Sequence, residues 1–343
     1  MSIERVVLAH AGDMTTLAAI PHLARRGEVV TVTVDVGQGE SLLAVRERAL
    51  EAGAVRAHVL DAREVFAHEL VLPALRAGAV GFDGDPHAAV LAVPCVAAQV
   101  ASVAVMEQAT ALAHGGTGQA AARMTRLLQS LSAVPVLPSV EAVPDAGGAA
   151  DVPPPMTPEG DARGAVRATL WGRSLPAPGS LDAPVDESLY AQTRATTRGA
   201  DTPAMLDVGF DGGTPRRVNG VSMPIVELLS SLDTIAGVHG IGRVDVLVPE
   251  GRGVRREVAE APAAAVLQIA VRELEALSLP WSLRTLRRRL AESYVDLLRL
   301  GDWHGPTRAS IDALADRALR DASATIRLRL FKGSVQVVGR EKH

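Results

Sequence analysis

The sequence predicts an α/β protein in two parts, a parallel doubly wound sheet followed by an α+β domain. Three observations predict it. Residues Ile3 to Ala9 and Glu28 to Val36 are β-branched-rich runs with polar segments between them, the pattern of parallel strands buried on both faces. Ser41 to Ala52 and Ala62 to Ala77 carry apolar residues at helical spacing, as crossovers between such strands require. Residues 139–165 are rich in Pro, Gly and Ala without periodicity and separate the two parts. The division this gives is 1–138, a linker over 139–165, and 166–343, consistent with a 343-residue chain being too long for one ordinary core.

The remaining elements follow in order. Val55 to Leu60 and Thr110 to Ala113 read as a third and a fourth parallel strand. After the linker come a strand around Met205 to Phe210, a turn at Asp211-Gly212-Gly213, a helix from Ile225 to Ala236 and a long helix from Leu283 to Leu300. The alternation of Thr325 to Leu330, then Gly333, then Val335 to Val338, predicts a closing hairpin. There is no internal repeat.

Composition excludes several classes of function. A formal net charge of -4 gives no general attraction to nucleic acid or an anionic membrane. Cys95 is the single cysteine, so no internal disulfide and no cysteine-rich metal site can form within one chain, and no metal is expected. The N-terminus has neither a signal-peptide pattern nor a membrane span, which with the cysteine count points to the cytoplasm. Lys332 and Lys342 are the two lysines, so anion binding in the first part must use arginine, backbone or a helix dipole.

Ligands on an open parallel sheet sit beyond the strand carboxyl ends. Those ends deliver His10 to Asp13, Asp35 to Glu40, and His114 to Gly118. His10, His87 and His114, with Asp13, Asp83 and Asp85, are therefore candidates for a polar pocket suited to general acid/base work on a small molecule. The plainer alternative assigns His114 to the scaffold and the other two to incidental loop positions. Arg284, Arg287, Arg288 and Arg289 form a basic helical stretch, either a contact for an anionic partner or a solvated face paired with Glu292 and Asp296.

The order and wording of several stretches resemble the argininosuccinate synthase family. They are VVLA (Val6 to Ala9), DVGQGE (Asp35 to Glu40), PALRA (Pro73 to Ala77), HGGTG (His114 to Gly118), LWGRS (Leu170 to Ser174), GIGRVD (Gly240 to Asp245) and VGR (Val338 to Arg340). The resemblance implies a nucleotide-binding-type pyrophosphatase-loop domain, a synthetase-type domain with an oligomerisation helix, and a dimer or tetramer of like chains. Members of the family adenylate citrulline with ATP and condense it with aspartate. Carried over residue by residue, Gly12, Thr16, Gly37, Gln38, Gly115, Thr117 and Gly118 would form a nucleoside site, and Ser174 would join Asp83 and Asp85 at the substrate.

Departures from the family pattern lie at the ligand loops. Where the family reads approximately SGGLDTS, this chain has Ala11-Gly12-Asp13-Met14-Thr15-Thr16-Leu17. A like charge within ~4 Å of a phosphate costs about 4 kcal/mol at an effective dielectric of about 20, roughly a thousandfold in affinity. Asp13 is thus expected to repel a triphosphate, and Pro21 to displace the start of the following helix. Asp85 to Pro94 and Gln119 to Leu127 lack the hydroxyl, arginine and Asn-Asp groups of the family's substrate loops, and the chain ends at His343 without the family's C-terminal arm. The expectation from these losses is a protein without citrulline-aspartate ligase activity and with no cofactor beyond weak residual ATP or adenosine binding. It would be an enzyme repurposed for a small polar or amino-acid-derived substrate without ATP-to-AMP chemistry. A non-catalytic paralogue binding a metabolite or protein partner, and an ATP-dependent ligase with rewired phosphate contacts, are the alternatives.

Overall fold

The computed structural model describes residues 4–39, 42–80, 85–138, 168–250 and 253–343. The expected linker, 139–165, and Asp83 lie outside them. The chain divides into two compact units that are not contiguous in sequence. The first is Met1–Arg63, Val90–Arg167 and Leu297–His304; the second is Glu64–Ala89, Ala168–Asp296 and Gly305–His343. Residues 64–89, expected in the first part, thus belong to the second unit.

The first unit is built on β1 (Arg5–Ala9), β2 (Glu28–Asp35), β3 (Arg56–Asp61) and β4 (Ala111–His114), all parallel in the order β3-β2-β1-β4. Val6, Val7 and Leu8 of β1 and Val29, Val30 and Val32 of β2 are fully buried, which is why these strands read as continuous apolar runs. The edge beyond β4 is extended at residues 135–137: Leu112 N–H donates to the Pro135 carbonyl at 2.9 Å, and Leu137 N–H to the Leu112 carbonyl at 2.7 Å. The chain winds outward from β1 to β3 and then returns to the other side of β1. The gap between the carboxyl ends of β1 and β4 is therefore the switch point of the sheet.

In chain order the helices are α1 (Met14–Ala24), α2 (Leu42–Glu51), α3 (Arg63–Phe66), α4 (Leu72–Ala77), α5 (Ala88–Met106), α6 (Gly118–Leu131), α7 (Ile225–Val238), α8 (Pro262–Ser278), α9 (Trp281–Leu300) and α10 (Pro306–Leu319). Pro21 does not displace α1. The helix starts at Met14 with Asp13 as its N-cap, and Pro21 sits late in it on the exposed face. The single helix expected over 62–77 is interrupted by a π-helical turn at Ala67–Val71. Pro73 explains the interruption, because it cannot donate to the carbonyl four residues back. That carbonyl, on Glu69, accepts instead from Arg308 Nη2 at 3.0 Å. Residues 88–94, expected as part of a substrate loop, are the first turns of α5, with Pro94 inside the helix. Among the described residues α5 is the helix long and apolar enough to cross a membrane, and more than half of its apolar window is buried within the protein.

The second unit holds two sheets. One has the order β10-β11-β6-β5, from β5 (Ala168–Thr169), β6 (Gly172–Pro176), β10 (Arg243–Glu250) and β11 (Gly253–Glu260). The other has the order β13-β12-β7-β8-β9, from β7 (Ala204–Asp211), β8 (Thr214–Val218), β9 (Val221–Ser222), β12 (Ala324–Phe331) and β13 (Ser334–Lys342). The expected hairpin is β12–β13, and Ala324, Ile326, Leu328 and Leu330 all face the core, as the alternation requires. Gly242 in GIGRVD has φ +93°, and a Cβ there would stand 2.6 Å from the backbone of Ala261 and Pro262, so only glycine fits.

Glu260, at the end of β11, organises this unit from within. Its buried carboxylate accepts from the backbone N–H of Ala191 (2.9 Å), Gln192 (3.0 Å) and Thr193 (2.8 Å), from the Thr193 hydroxyl (2.6 Å) and from Arg173 Nη1 (3.1 Å). Removing one partner of a buried ion pair strands the other in low dielectric. Glu260→Ala is expected to lower the unfolding free energy by about 3–5 kcal/mol, measured by urea denaturation. A cost under about 1 kcal/mol would show that the network is not load-sharing in this way.

Candidate functional site

At the switch point the chain leaves β1 through His10, Ala11 and Gly12 and enters α1 at Asp13. Gly12 has φ +82°, and a Cβ on it would meet Val45 Cγ2 of α2 at 2.9 Å. Glycine is thus required by both conformation and the close approach of α2.

His10, Thr16 and Asp13 form a buried hydrogen-bonded chain. His10 Nδ1 lies 2.7 Å from Thr16 Oγ1, and that hydroxyl donates to Asp13 Oδ2 at 2.5 Å while Thr16 N–H donates to Asp13 Oδ1 at 2.9 Å. A hydroxyl has one hydrogen, and here it goes to the carboxylate. Thr16 Oγ1 must then accept from His10 Nδ1–H, which assigns the proton to Nδ1 and leaves Nε2 with a bare lone pair. Among the described residues the buried Nε2 has no hydrogen-bond partner. Burial, against the attraction of Asp13 and with the repulsion of Arg48, lowers the His10 pKa to about 4, so the ring is neutral near pH 7. The buried Nε2 is therefore left as a neutral acceptor with no partner among the described residues.

Asp13 does not project freely into the loop. It caps α1, with both oxygens turned onto Thr16. The repulsion expected of it is also opposed by a cation that sequence reasoning missed. Arg48, in the last turn of α2, places Nη2 3.7 Å from where a Gly12 Cβ would stand. Among the described residues its half-buried guanidinium makes no hydrogen bond or ion pair. An opposite charge within about 4 Å of a phosphate would offset a penalty of the size assigned to Asp13. The near absence of lysine was the available signal, since it requires any side-chain ammonium or guanidinium contact to an anion here to come from arginine.

On the β4 side, His114 braces its own loop. Its Nδ1 accepts from Gly116 N–H at 3.2 Å and its Nε2 lies 2.8 Å from the Thr125 hydroxyl, so both nitrogens are engaged. Burial lowers its pKa to about 4. This is the scaffold role set out as the plainer alternative. The loop it braces runs through Gly115 and Gly116 to Thr117, the N-cap of α6, whose side chain makes no capping hydrogen bond. The first N–H groups of α6, beginning at Gly118, are thus not capped by that side chain. In the loop after β2, Gly37 N–H donates to Asp35 Oδ1 at 2.8 Å, and Gln38 bonds the Val36 N–H and the Val34 carbonyl. Gln38 thus shapes the loop through its side chain.

The other candidates belong to the second unit. His87, buried and with φ +53°, donates its backbone N–H to Asp85 Oδ1 at 2.7 Å, and its ring Nδ1 lies 3.2 Å from Asp85 Oδ2. Ser174 donates to Glu257 Oε2 at 3.0 Å. The structure thus links His10 to Asp13 through the Thr16 hydroxyl in the first unit and His87 to Asp85 directly in the second, and His114 to neither carboxylate.

Comparison with known proteins supplies the rest. Residues 5–134 match the arginosuccinate synthase N-terminal HUP domain and residues 166–343 the arginosuccinate synthase C-terminal domain. The chain is 34% identical to an argininosuccinate synthase of Synechococcus elongatus over 98% of its own length and 88% of the relative's. It is likewise 34% identical to those of Rubrobacter xylanophilus, over 98% and 85%, and Gloeobacter violaceus, over 99% and 89%. End-to-end similarity to synthases at this level overturns the expectation of a degenerate, repurposed or inactive protein. That expectation counted side chains lost from the loops and gave no weight to Arg48 or to the inward turn of Asp13. The chain belongs to the argininosuccinate synthase family.

Proposed function

We propose that the protein is an ATP-dependent ligase that makes argininosuccinate from citrulline and aspartate. The observation that carries this reading is similarity to proteins of that name along almost the whole chain, both domains included. In the reaction the citrulline ureido oxygen attacks the α-phosphorus of ATP and pyrophosphate leaves; the aspartate amine then displaces AMP.

The geometry of the first unit supports it. Gly12 lets the backbone turn at the switch point, Arg48 supplies positive charge beside that turn, and the open first turn of α6 offers N–H donors to phosphate. The segments Gly37-Gln38 and Gly115 to Gly118 serve the nucleoside through backbone. His10 Nε2, a neutral buried acceptor, suits a substrate N–H and can take up a proton as the ureido group is activated. Phosphate contacts are thus carried by arginine and backbone where the family pattern has side-chain hydroxyls. Self-association of like chains into a dimer or tetramer is part of the same reading.

Purified protein given ATP, citrulline and aspartate is expected to release AMP and pyrophosphate in equal amounts, with sustained release only when both amino acids are present. No release with all three substrates would overturn the proposal.

Arg48→Gln is expected to raise the KM for ATP by roughly tenfold or more while leaving those for citrulline and aspartate within about twofold, because one charge-assisted phosphate contact is lost. An unchanged KM for ATP would remove Arg48 from the phosphate site.

His10 also carries a pH signature. Its folded pKa, about 4, lies below the ordinary 6.5, so the unfolded chain binds the extra proton first. The stability tied to His10 is full above pH 6.5 and is lost as pH falls from 6.5 towards 4. Half-buried Asp233, whose pKa is raised by desolvation to about 7, acts with opposite sign, so the comparison is made between wild type and His10→Asn. The variant should show a shallower fall in melting temperature over that window; equal slopes would place a charged His10 in the folded protein.

A further inference from the structure

The second unit contains a cavity of about 410 Å³ between the C-terminal end of α4, α8 and the first turns of α9. Its charged lining is Arg272 and Glu275 from α8 and Arg284, Arg287 and Arg288 from α9. The α9 arginines fall at i, i+3 and i+4, which puts them on one face of the helix. The sequence allowed this stretch to be a solvated face paired with Glu292 and Asp296. Among the described residues no such pair forms.

Arg287 is 3% exposed. Its Nε and Nη2 reach Glu275 Oε1 at 3.2 and 2.7 Å, and Nη2 also donates to the Arg76 carbonyl. Its Nη1 is buried with no hydrogen-bond partner among the described residues, and so is Nε of Arg284. A guanidinium is never deprotonated, so these donors cannot be silenced by losing a proton. Glu275 offsets one of the four positive charges, which leaves three around a concave space with buried N–H groups unsatisfied. Such donors are ordinarily met by protein, water or ligand. This concentration of arginine, uncompensated among the described residues, favours an anion carrying more than one charge.

We propose that this cavity binds a small polyanion, a metabolite bearing two or more carboxylate or phosphate groups. Arg287 is the buried anchor, held in place by Glu275, and Arg284 and Arg288 close on the ligand from the more exposed side. The cavity lies wholly within the second unit, so the proposal does not rest on the ligase reading and its test needs no turnover.

The test is calorimetry of the full chain with citrate and, separately, fructose 1,6-bisphosphate, which distinguishes carboxylate from phosphate ligands. At least one is expected to bind, more weakly at higher salt, and Arg284→Gln with Arg288→Gln is expected to weaken binding by about tenfold or more. Among the described residues neither guanidinium makes a hydrogen bond or ion pair, and that of Arg284 lies 5.3 Å over the exposed Trp281 ring, a contact worth little at the surface, so the double variant should nearly keep its melting temperature. Arg287→Lys, which keeps the charge and loses the fork, should weaken binding at unchanged fold. No binding of either anion at millimolar concentration overturns the proposal. So does binding that the double variant leaves intact, or a double variant that changes the oligomeric state and not anion affinity, which would assign the arginines to carboxylates of a second copy.

Discussion

The single hydrogen of the Thr16 hydroxyl constrains the whole end of the first sheet. Because it goes to Asp13, the carboxylate is fixed as the cap of α1, and because the oxygen must then accept, the proton of His10 is fixed on Nδ1. Helix start, carboxylate direction and imidazole tautomer are one choice. Gly12 makes that choice possible, since the chain has to pass from β1 to the cap through a left-handed residue packed against Val45. The acceptor that results, His10 Nε2, is set by packing and hydrogen bonding together.

The second unit solves a similar problem with charge. Glu260 ties β6 to the segment 191–193 through five donors, so its carboxylate is solvated by protein instead of water. A buried ion pair with one hydrogen bond would barely offset its desolvation; the extra N–H groups make the difference. This explains how Arg173, from the LWGRS stretch, is tolerated with almost no exposure. Trp171 of the same stretch is fully buried and donates its indole N–H to the Pro86 carbonyl at 3.0 Å. LWGRS is therefore a packing and hydrogen-bonding device as much as a family signature.

How much of this was legible in the sequence depends on which force decided each feature. Strands buried on both faces announce themselves, and β1 to β4 and the β12–β13 hairpin stand where periodicity put them. Pro21 was misread because proline's clash was weighed without the cap: Asp13 fixes the start of α1, and a proline on the exposed face is absorbed. Residues 88–94 were misread because they were matched to a substrate loop by motif, while the long apolar run continuing to Met106 is a buried helix. The loss-of-activity expectation failed for a related reason. Side chains absent from a loop are visible in sequence, whereas a compensating charge from another element, such as Arg48, becomes visible only when α2 is folded against Gly12.

The chemistry of arginine links the two anion-attracting places in the chain. With lysine confined to positions 332 and 342, every cation elsewhere is a guanidinium, or a histidine at low pH. A guanidinium is less strongly hydrated than an ammonium, and its planar fork can hold a carboxylate with one edge while other N–H groups point elsewhere. Arg287, which lines the cavity, does this, bonding Glu275 and a backbone carbonyl while its buried Nη1 has no partner among the described residues. A lysine there would put its charge at one point and lose either the structural contact or the ligand-facing donor. The same argument applies in simpler form at Arg48, a half-buried cation beside a glycine turn whose side chain has no hydrogen-bond or ion-pair partner among the described residues. Arginine in place of lysine lets one residue be part of the fold and part of a binding surface at once.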